Sequence, residues 1–210
     1  LCVSTGTNNV LPVFVDGTIA GMAAGVVACG VVPREQAAYR AKRLAVSVDE
    51  IALDSALVDV ALLKGLFVGT GALWDGAVLR HIWVTQAEPY YVGLTSIAAT
   101  QGLIGPRDAV GRRVTLGAEP AGGLLSVLGP GLVRRFAVAV SRELREREPD
   151  EIHVGEPSVL ALDGEREHNV AAGTRLQVTL YRDGPWLIEP DAALRAWAGC
   201  GQSSSRDRGA

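Results

Sequence analysis

The chain has 210 residues, 48% of them hydrophobic, and a formal net charge of −3. This is enough apolar material for a folded core, which excludes a disordered chain. A pI of about 5.7 leaves no broad basic surface, so we predict no nucleic-acid partner. Three cysteines without metal-ligand spacing exclude a disulfide scaffold and favour a reducing compartment, so we expect a cytoplasmic protein.

The first predicted element is an apolar strand at residues 1–3, followed by a Ser/Thr/Gly/Asn loop at 4–9. A strand, a polar loop and a small-residue helix in this order are typical of α/β units that present backbone N–H groups to a phosphate. We therefore expect the chain to open inside an α/β fold, as the C-terminal part of a larger protein. We also predict that the loop faces the same cleft as Asp59.

The next predicted element is a helix at residues 18–28. It lies in an uncharged run, 17–33, which is short for a membrane span, ends in proline and carries four glycines. A helix packed closely on a sheet fits this composition better, because glycine permits close backbone approach. We predict no membrane contact.

After this helix the sequence is typical of strands joined by turns, because short apolar or alternating runs are separated by Gly, Pro and Asp. The predicted strands are 44–48, 57–63, 66–68, 78–84, 113–116, 124–127, 135–140, 158–162, 176–181 and 186–188. A short helix is predicted at 95–101. The mixed-charge run 142–150 is predicted to be a solvated connection between strands.

Few motifs in the chain carry chemistry. The three histidines are scattered without ligand spacing, so we predict no metal site. A nucleophile elbow, a P-loop and a dinucleotide fingerprint are all missing. Two weaker signals remain: the loop 4–9, whose hydroxyls and amides suit a nucleotide, and the turn Asp163-Gly164-Glu165 with its two carboxylates. Asp-Gly is also the commonest hairpin turn signal.

Together and in this order, these segments resemble the ATP-NAD kinase-like family, which includes the acetoin catabolism protein X group and is related to NAD kinases and to diacylglycerol and sphingosine kinases. The most specific match is Ser-Thr-Gly-Thr-Asn-Asn-Val-Leu-Pro at 4–12, with the small-residue helix at 17–25. Residues 56–60 are similar to the NAD kinase strand Ala-Leu-Asn-[Asp/Glu]-Val, with Val58 in place of the asparagine. Three looser matches follow. Residues 93–102 are similar to Gly-Ser-Thr-Ala-Tyr-x-x-x-x-Gly-Gly, 129–134 to Pro-x-x-Leu-x-x-Arg, and 162–166 to the late Asp-Gly-[Glu/Gln] turn.

The resemblance implies a site for ATP, Mg²⁺ and NAD. The implied residues are Gly6, Thr7, Asn8 and Asn9 for the nucleotide, Asp59, Thr95 and Ser96 for the acceptor, and Glu165 with Asp163 as electrostatic or basic catalytic groups. The family's Gly-Gly-Asp-Gly-Thr loop, which holds the triphosphate, would precede Leu1. Phosphoryl transfer depends mainly on positioning and charge neutralisation, so we expect this chain alone to be inactive.

We therefore expect an α+β protein: residues 1–42 form the last strand and helix of an α/β nucleotide-binding domain, 43–198 a mostly β C-terminal domain of packed sheets, and 199–210 a disordered tail. The implied activity of the full-length protein is phosphorylation of NAD at the adenosine ribose 2′-OH, giving NADP, in a homo-oligomer whose partners are small-molecule nucleotides. Two alternatives stay open. One is a lipid kinase of the diacylglycerol or sphingosine type; the other is a non-catalytic nucleotide-binding accessory protein of a catabolic pathway.

Overall fold

The computed structural model describes residues 1–4, 10–65, 78–117 and 123–206, with only the backbone of 201–206. By its contacts the chain divides into two units, Leu1–Ala41 with Pro185–Ala210, and Lys42–Gly184. The predicted boundary after residue 42 lies next to this division. Residues 185–198 group with the N-terminal segment instead of the β-rich part, because β1 (Ala38–Arg40) pairs antiparallel with β14 (Trp186–Ile188).

The helices of the first unit pack on one another. Helix α1 (Gly17–Ala28) begins at Asp16, whose side chain accepts the N–H of Thr18 at 2.8 Å, which confirms the predicted helix within one residue. It packs against α4 (Pro190–Arg206) through a small core that includes Ala23 and Ala193. The short helix α2 (Arg34–Ala37) also contacts α4. Among the described residues, no helix is long and apolar enough to cross a bilayer.

Both ends of the chain differ from their predictions in detail. Val3 forms a single parallel bridge with Val13 and is 41% exposed, so the predicted apolar strand at residues 1–3 is reduced to one bridge and is not buried. At the other end α4 continues to Arg206, into the segment for which composition predicts disorder. A helix that has already nucleated extends at low cost, because each added residue adds a hydrogen bond.

The described residues of the second unit form antiparallel strands and one short helix, α3 (Leu94–Ala99). A six-stranded sheet has the order β12-β11-β4-β5-β6-β9, a four-stranded sheet the order β10-β13-β2-β3, and β7 and β8 form a hairpin. The strand bounds are β2 Arg43–Val48, β3 Ile51–Ala56, β4 Asp59–Lys64, β5 Leu79–Val84, β6 Val110–Leu116, β7 Leu124–Gly129, β8 Leu132–Phe136, β9 Val138–Arg145, β10 Pro149–His153, β11 Ser158–Leu162, β12 Arg166–Val170 and β13 Arg175–Tyr181. The predicted mostly β, α+β class is confirmed.

The six-stranded sheet is the middle layer of this unit, because side chains alternate between its two faces. On β4, Val60 and Leu62 belong to a core shared with the four-stranded sheet. Ala61 and Leu63 belong to the opposite core, which includes α3 and the β7–β8 hairpin. The observed β4 starts two residues after the start of the predicted strand 57–63, because residues 57 and 58 form the turn that leads into β4.

The mixed-charge run 142–150 is the clearest correction to the sequence analysis. Residues 142–145 belong to β9 and residues 149–150 to β10, so only 146–148 form a connection between strands. Both strands lie at the edge of their sheets, where one face meets solvent and accepts charged side chains. The inward positions Leu144 and Asp150 are 2% and 3% exposed. The polar edge strand β12 was missed for the same reason, and the edge strand β3, whose Ile51 and Leu53 are exposed, was also missed. The predicted strand 66–68 lies outside the described residues.

Candidate functional site

The four predicted nucleotide-binding residues Gly6, Thr7, Asn8 and Asn9 lie outside the described residues. Their role, and the prediction that their loop faces the cleft of Asp59, therefore stay predictions. The described part of the candidate site is the acceptor side in the second unit. It comprises the start of β4, the β11–β12 turn and helix α3.

Asp59, the first residue of β4, is a buried acid. It is 7% exposed, and alternation along the strand places it on the same sheet face as Ala61, the face covered by α3. Burial, and secondly the negative charge of Asp163, raise the pKa of the Asp59 carboxyl to about 7. Asp59 therefore exists in both protonation states near neutral pH, as a group that exchanges a proton with a hydroxyl requires.

Asp163 is bound to the turn that precedes Asp59. Its Oδ1 accepts the backbone N–H groups of Leu57, Val58 and Asp59 at 3.1, 2.8 and 3.2 Å, and its Oδ2 accepts that of Leu57 at 3.0 Å. Its own N–H donates to the Asp59 carbonyl oxygen at 3.0 Å. Both carboxylate oxygens are thus engaged with the protein backbone, which favours a positioning role over the catalytic role that the resemblance implies.

Glu165 is the exposed acid of the same turn. Asp163 and Gly164 have φ angles of 53° and 70°, the left-handed backbone that Asp and Gly tolerate. The Glu165 N–H donates to the Leu162 carbonyl oxygen at 3.0 Å, so the turn is a tight hairpin. Its side chain is accessible to solvent, whereas the Asp163 side chain is 19% exposed.

Thr95 and Ser96 lie in the first turn of α3, on the face of the six-stranded sheet that also carries Asp59. Thr95 is 1% exposed and Ser96 is half-buried. The Ser96 hydroxyl donates to the Gly93 carbonyl oxygen at 2.7 Å, while the Thr95 hydroxyl is 3.5 Å from the Val92 carbonyl oxygen. Ser96 thus has a strong bond within its own turn, and Thr95 has only a weak one.

Sequence reasoning missed further polar residues that are buried near α3. The Tyr91 hydroxyl donates to Gln86 Oε1 at 2.7 Å, and Gln86 is 1% exposed. Within the described part of the chain, Gln86 Nε2 and Ser126 Oγ are buried without a hydrogen-bond partner. Buried polar groups are usually bonded, so both mark the surroundings of α3 as polar. Gln86 follows β5 and Ser126 lies within β7. Each stands singly and matches no motif, so no sequence signal marks them.

The raised pKa of Asp59 makes stability depend on pH. Folding favours the protonated acid, so the contribution of Asp59 to stability is fully present below the ordinary pKa of 3.8 and is lost as the pH rises to about 7. We expect the free energy of unfolding of Asp59→Asn to match that of the wild type near pH 3.8 and to exceed it by roughly 4 kcal/mol above pH 7. Urea unfolding at stepped pH measures this, with the exposed Glu167→Gln as control. Parallel curves for wild type and Asp59→Asn would contradict the expectation.

Comparisons with known proteins identify relatives of the chain. Residues 42–183 match the family model described as the acetoin catabolism protein X C-terminal domain, a range that coincides with the second unit to within one residue. Over 199 residues the chain is 33% identical to acetoin catabolism protein X of Cupriavidus necator. The aligned region covers 92% of this chain and 55% of that protein. The chain thus spans about half the length of this relative.

A solved structure similar to the chain is the crystal structure of yeast NADH kinase complexed with NADH. The TM-score is 0.45 at 13% sequence identity, with 89% of this chain and 51% of that chain covered.

Proposed function

The chain belongs to the acetoin catabolism protein X family, and from that membership we propose that the protein is an ATP-dependent kinase that phosphorylates NAD at the adenosine ribose 2′-OH. The proposal rests on the motif resemblance of residues 4–12 and 56–60 to NAD kinases. The observation that carries it is Asp59, a buried carboxyl with a pKa of about 7 on the sheet face covered by α3. We place this reaction in the cytoplasm.

The proposed reaction forms one bond and breaks one. The 2′-hydroxyl oxygen bonds to the γ-phosphorus of ATP, the bond from that phosphorus to the β,γ-bridging oxygen breaks, and ADP leaves with the bridging electrons. The hydroxyl proton passes to a carboxylate. Asp59 and Glu165 are the candidates in the described part of the chain, since both oxygens of Asp163 accept backbone N–H groups.

Mg²⁺ enters this proposal together with ATP. Among the described residues there is no group of three or more His, Cys, Asp or Glu side chains that could hold a metal ion. In phosphoryl transfer Mg²⁺ is held largely by the phosphates and water, with few protein ligands. We therefore treat the magnesium–ATP complex as the substrate and assign no resident metal site to this unit.

A second candidate function is a nucleotide-binding accessory protein without catalysis. It is favoured by one observation: Asp163, which the resemblance assigns to catalysis, is fully occupied in holding a turn. In addition, Val58 stands where NAD kinases carry the asparagine that contacts the dinucleotide. This candidate predicts binding of NAD or ATP without turnover.

The test incubates the complete gene product that carries this chain with NAD, ATP and MgCl₂, and detects NADP with an NADP-specific dehydrogenase. We expect NADP to form, and omission of ATP or chelation of Mg²⁺ to abolish it. Parallel reactions with radiolabelled ATP and diacylglycerol or sphingosine test the lipid kinase alternative. Calorimetric titration with NAD and with ATP shows whether the protein binds either nucleotide.

Each result decides between the candidates. Labelled lipid without NADP would replace the proposed function by lipid phosphorylation. Nucleotide binding without product, across several phosphate donors and divalent metals, would replace it by the accessory function. Absence of both binding and product would contradict both nucleotide-based candidates.

A further inference from the structure

We propose that Asp163 is a positioning residue of the acceptor site: from the β11–β12 turn it fixes the backbone of residues 57–59 and thereby holds Asp59 against the bound hydroxyl. This inference rests on the proposed function, because it assigns a purpose to the position of Asp59. It goes further by giving the two acids different roles. Asp59 contacts the acceptor, and Asp163 acts only through Asp59.

The first argument is the number and direction of the hydrogen bonds. Three consecutive N–H groups, of Leu57, Val58 and Asp59, point at a single oxygen of Asp163. Consecutive N–H groups that converge in this way form a concave binding site for an anion. Here the anion is supplied by the protein itself, from a residue more than a hundred positions later in the chain. The arrangement ties the start of β4 to the end of β11.

The second argument is that the same turn is held from its other side. The Thr85 hydroxyl donates to the Leu57 carbonyl oxygen at 2.8 Å, and the Thr85 N–H donates to that of Val58 at 3.0 Å. The N–H groups of the turn therefore bond to Asp163 and its carbonyl groups to Thr85. A backbone whose polar groups are bonded on both sides has little freedom to move, so the first residue of β4 is held in one position.

The third argument is the distribution of charge around Asp59. The β11–β12 turn supplies the negative charge of Asp163, and β12 supplies Arg166, whose Nη2 lies 3.8 Å from an Asp163 oxygen. Arg166 Nε also lies 3.2 Å from Asp54 on β3, whose carboxylate is 2.9 Å from His168 Nε2. The end of β5 that pairs with Asp59, and helix α3, carry uncharged residues.

These charges explain why Asp163 and Asp59 do not exchange roles. Arg166 also donates to the Ser55 carbonyl oxygen at 2.6 Å, so it lies on the side of Asp163 that faces β3. Asp163 thus has a cation and backbone N–H groups as neighbours, whereas Asp59 is buried beside a negative charge. A carboxyl group that is buried beside a negative charge, as Asp59 is, retains its proton at higher pH than a solvated one. Of these two acids, Asp59 is therefore the one able to exchange a proton with the acceptor.

The test compares two variants of Asp163 with a matched control. Asp163→Asn keeps the Oδ1 acceptor for all three N–H groups and removes the charge, and Asp163→Ala removes both. Glu167→Gln removes an exposed charge from the same hairpin. The Asp59 carboxyl is titrated through its ¹³C chemical shift, and amide hydrogen exchange is measured for Leu57, Val58 and Asp59.

We expect Asp163→Asn to lower the pKa of Asp59 by about one unit and Asp163→Ala to speed exchange of the three amides about tenfold, while Glu167→Gln changes neither. Where NADP formation is measurable, its pH profile should shift with the Asp59 titration. An unchanged Asp59 titration in Asp163→Asn, or unchanged exchange in a folded Asp163→Ala, would overturn the inference. Neither readout needs turnover, so an inactive protein counts against the proposed function alone.

Discussion

Replacing Asp150 with alanine is expected to lower the free energy of unfolding by about 3 to 5 kcal/mol. Asp150 on β10 is 3% exposed, and its Oδ2 accepts the Trp83 indole N–H at 2.8 Å and an Arg113 N–H at 3.0 Å. Arg142 on β9 lies 3.4 Å from the other oxygen. These three partners, Trp83, Arg113 and Arg142, are cross-strand neighbours in the six-stranded sheet. One acid of the four-stranded sheet therefore contacts three strands of the six-stranded sheet.

The size of this effect follows from what the alanine variant leaves behind. The Arg113 side chain is 13% exposed, so its charge stays buried without a partner, and the indole N–H loses its acceptor. Removing one member of a buried charged pair costs far more than the pair contributes in net stability.

Urea unfolding of Asp150→Ala and of a surface control measures the difference. The control is Asp183→Ala, which removes the partner of Arg43 at a site where the Asp183 side chain is 53% exposed, and a loss of at most about 1 kcal/mol is expected there. Equal losses in the two variants would contradict the view that Asp150 links the two sheets.

Replacing Glu165 with glutamine is expected to lower the turnover of NAD phosphorylation by about 10² to 10⁴ without changing the melting temperature. A well-placed acid or base contributes a factor of this size. Glutamine has nearly the same shape but cannot take a proton. The side chain is exposed on a hairpin whose conformation depends on Asp163 and Gly164, so folding does not depend on its charge.

Turnover is measured by NADP formation and stability by thermal unfolding, in the complete gene product. Glu167→Gln, two residues further along the same hairpin, is the matched control and should retain normal turnover. Unchanged turnover in Glu165→Gln would show that the turn serves only to join β11 and β12 and to present Asp163. A fall in both turnover and melting temperature would indicate loss of structure instead of loss of a catalytic group.

Much of the fold was determined by local pattern. The helix α1 and the strands β2, β5, β11, β13 and β14 were located to within one or two residues. Helical spacing in α1, and short apolar or alternating runs between turn residues in the strands, are local signals. The Asp-Gly pair at 163–164 predicted a hairpin turn, and both residues have the left-handed backbone that such turns need. These features depend on residues close together in the chain.

The charged and polar strands could not be predicted in this way. The run 142–150 was interpreted as a solvated connection, because its charges obscure the alternation that places Leu144 and Asp150 inside. The edge strand β12 contains too few apolar residues for a periodic signal, and in β3 the apolar Ile51 and Leu53 are exposed, so its apolar residues do not mark a buried face. Whether a charged segment becomes a strand depends on the partner strand that pairs with it, and that partner lies far away in the sequence.

The candidate site divides in the same manner. Sequence alone singled out Asp59, Asp163 and Glu165 as acids in motifs, and it assigned the two acids of the turn the same catalytic role. Only the tertiary structure brings Asp163 onto the N–H groups of residues 57–59, buries Asp59 beside it and leaves Glu165 in solvent. Burial, hydrogen-bond partners and neighbouring charges determine what a carboxyl group can do, and all three are set by residues that meet only when β4 and β11 pair.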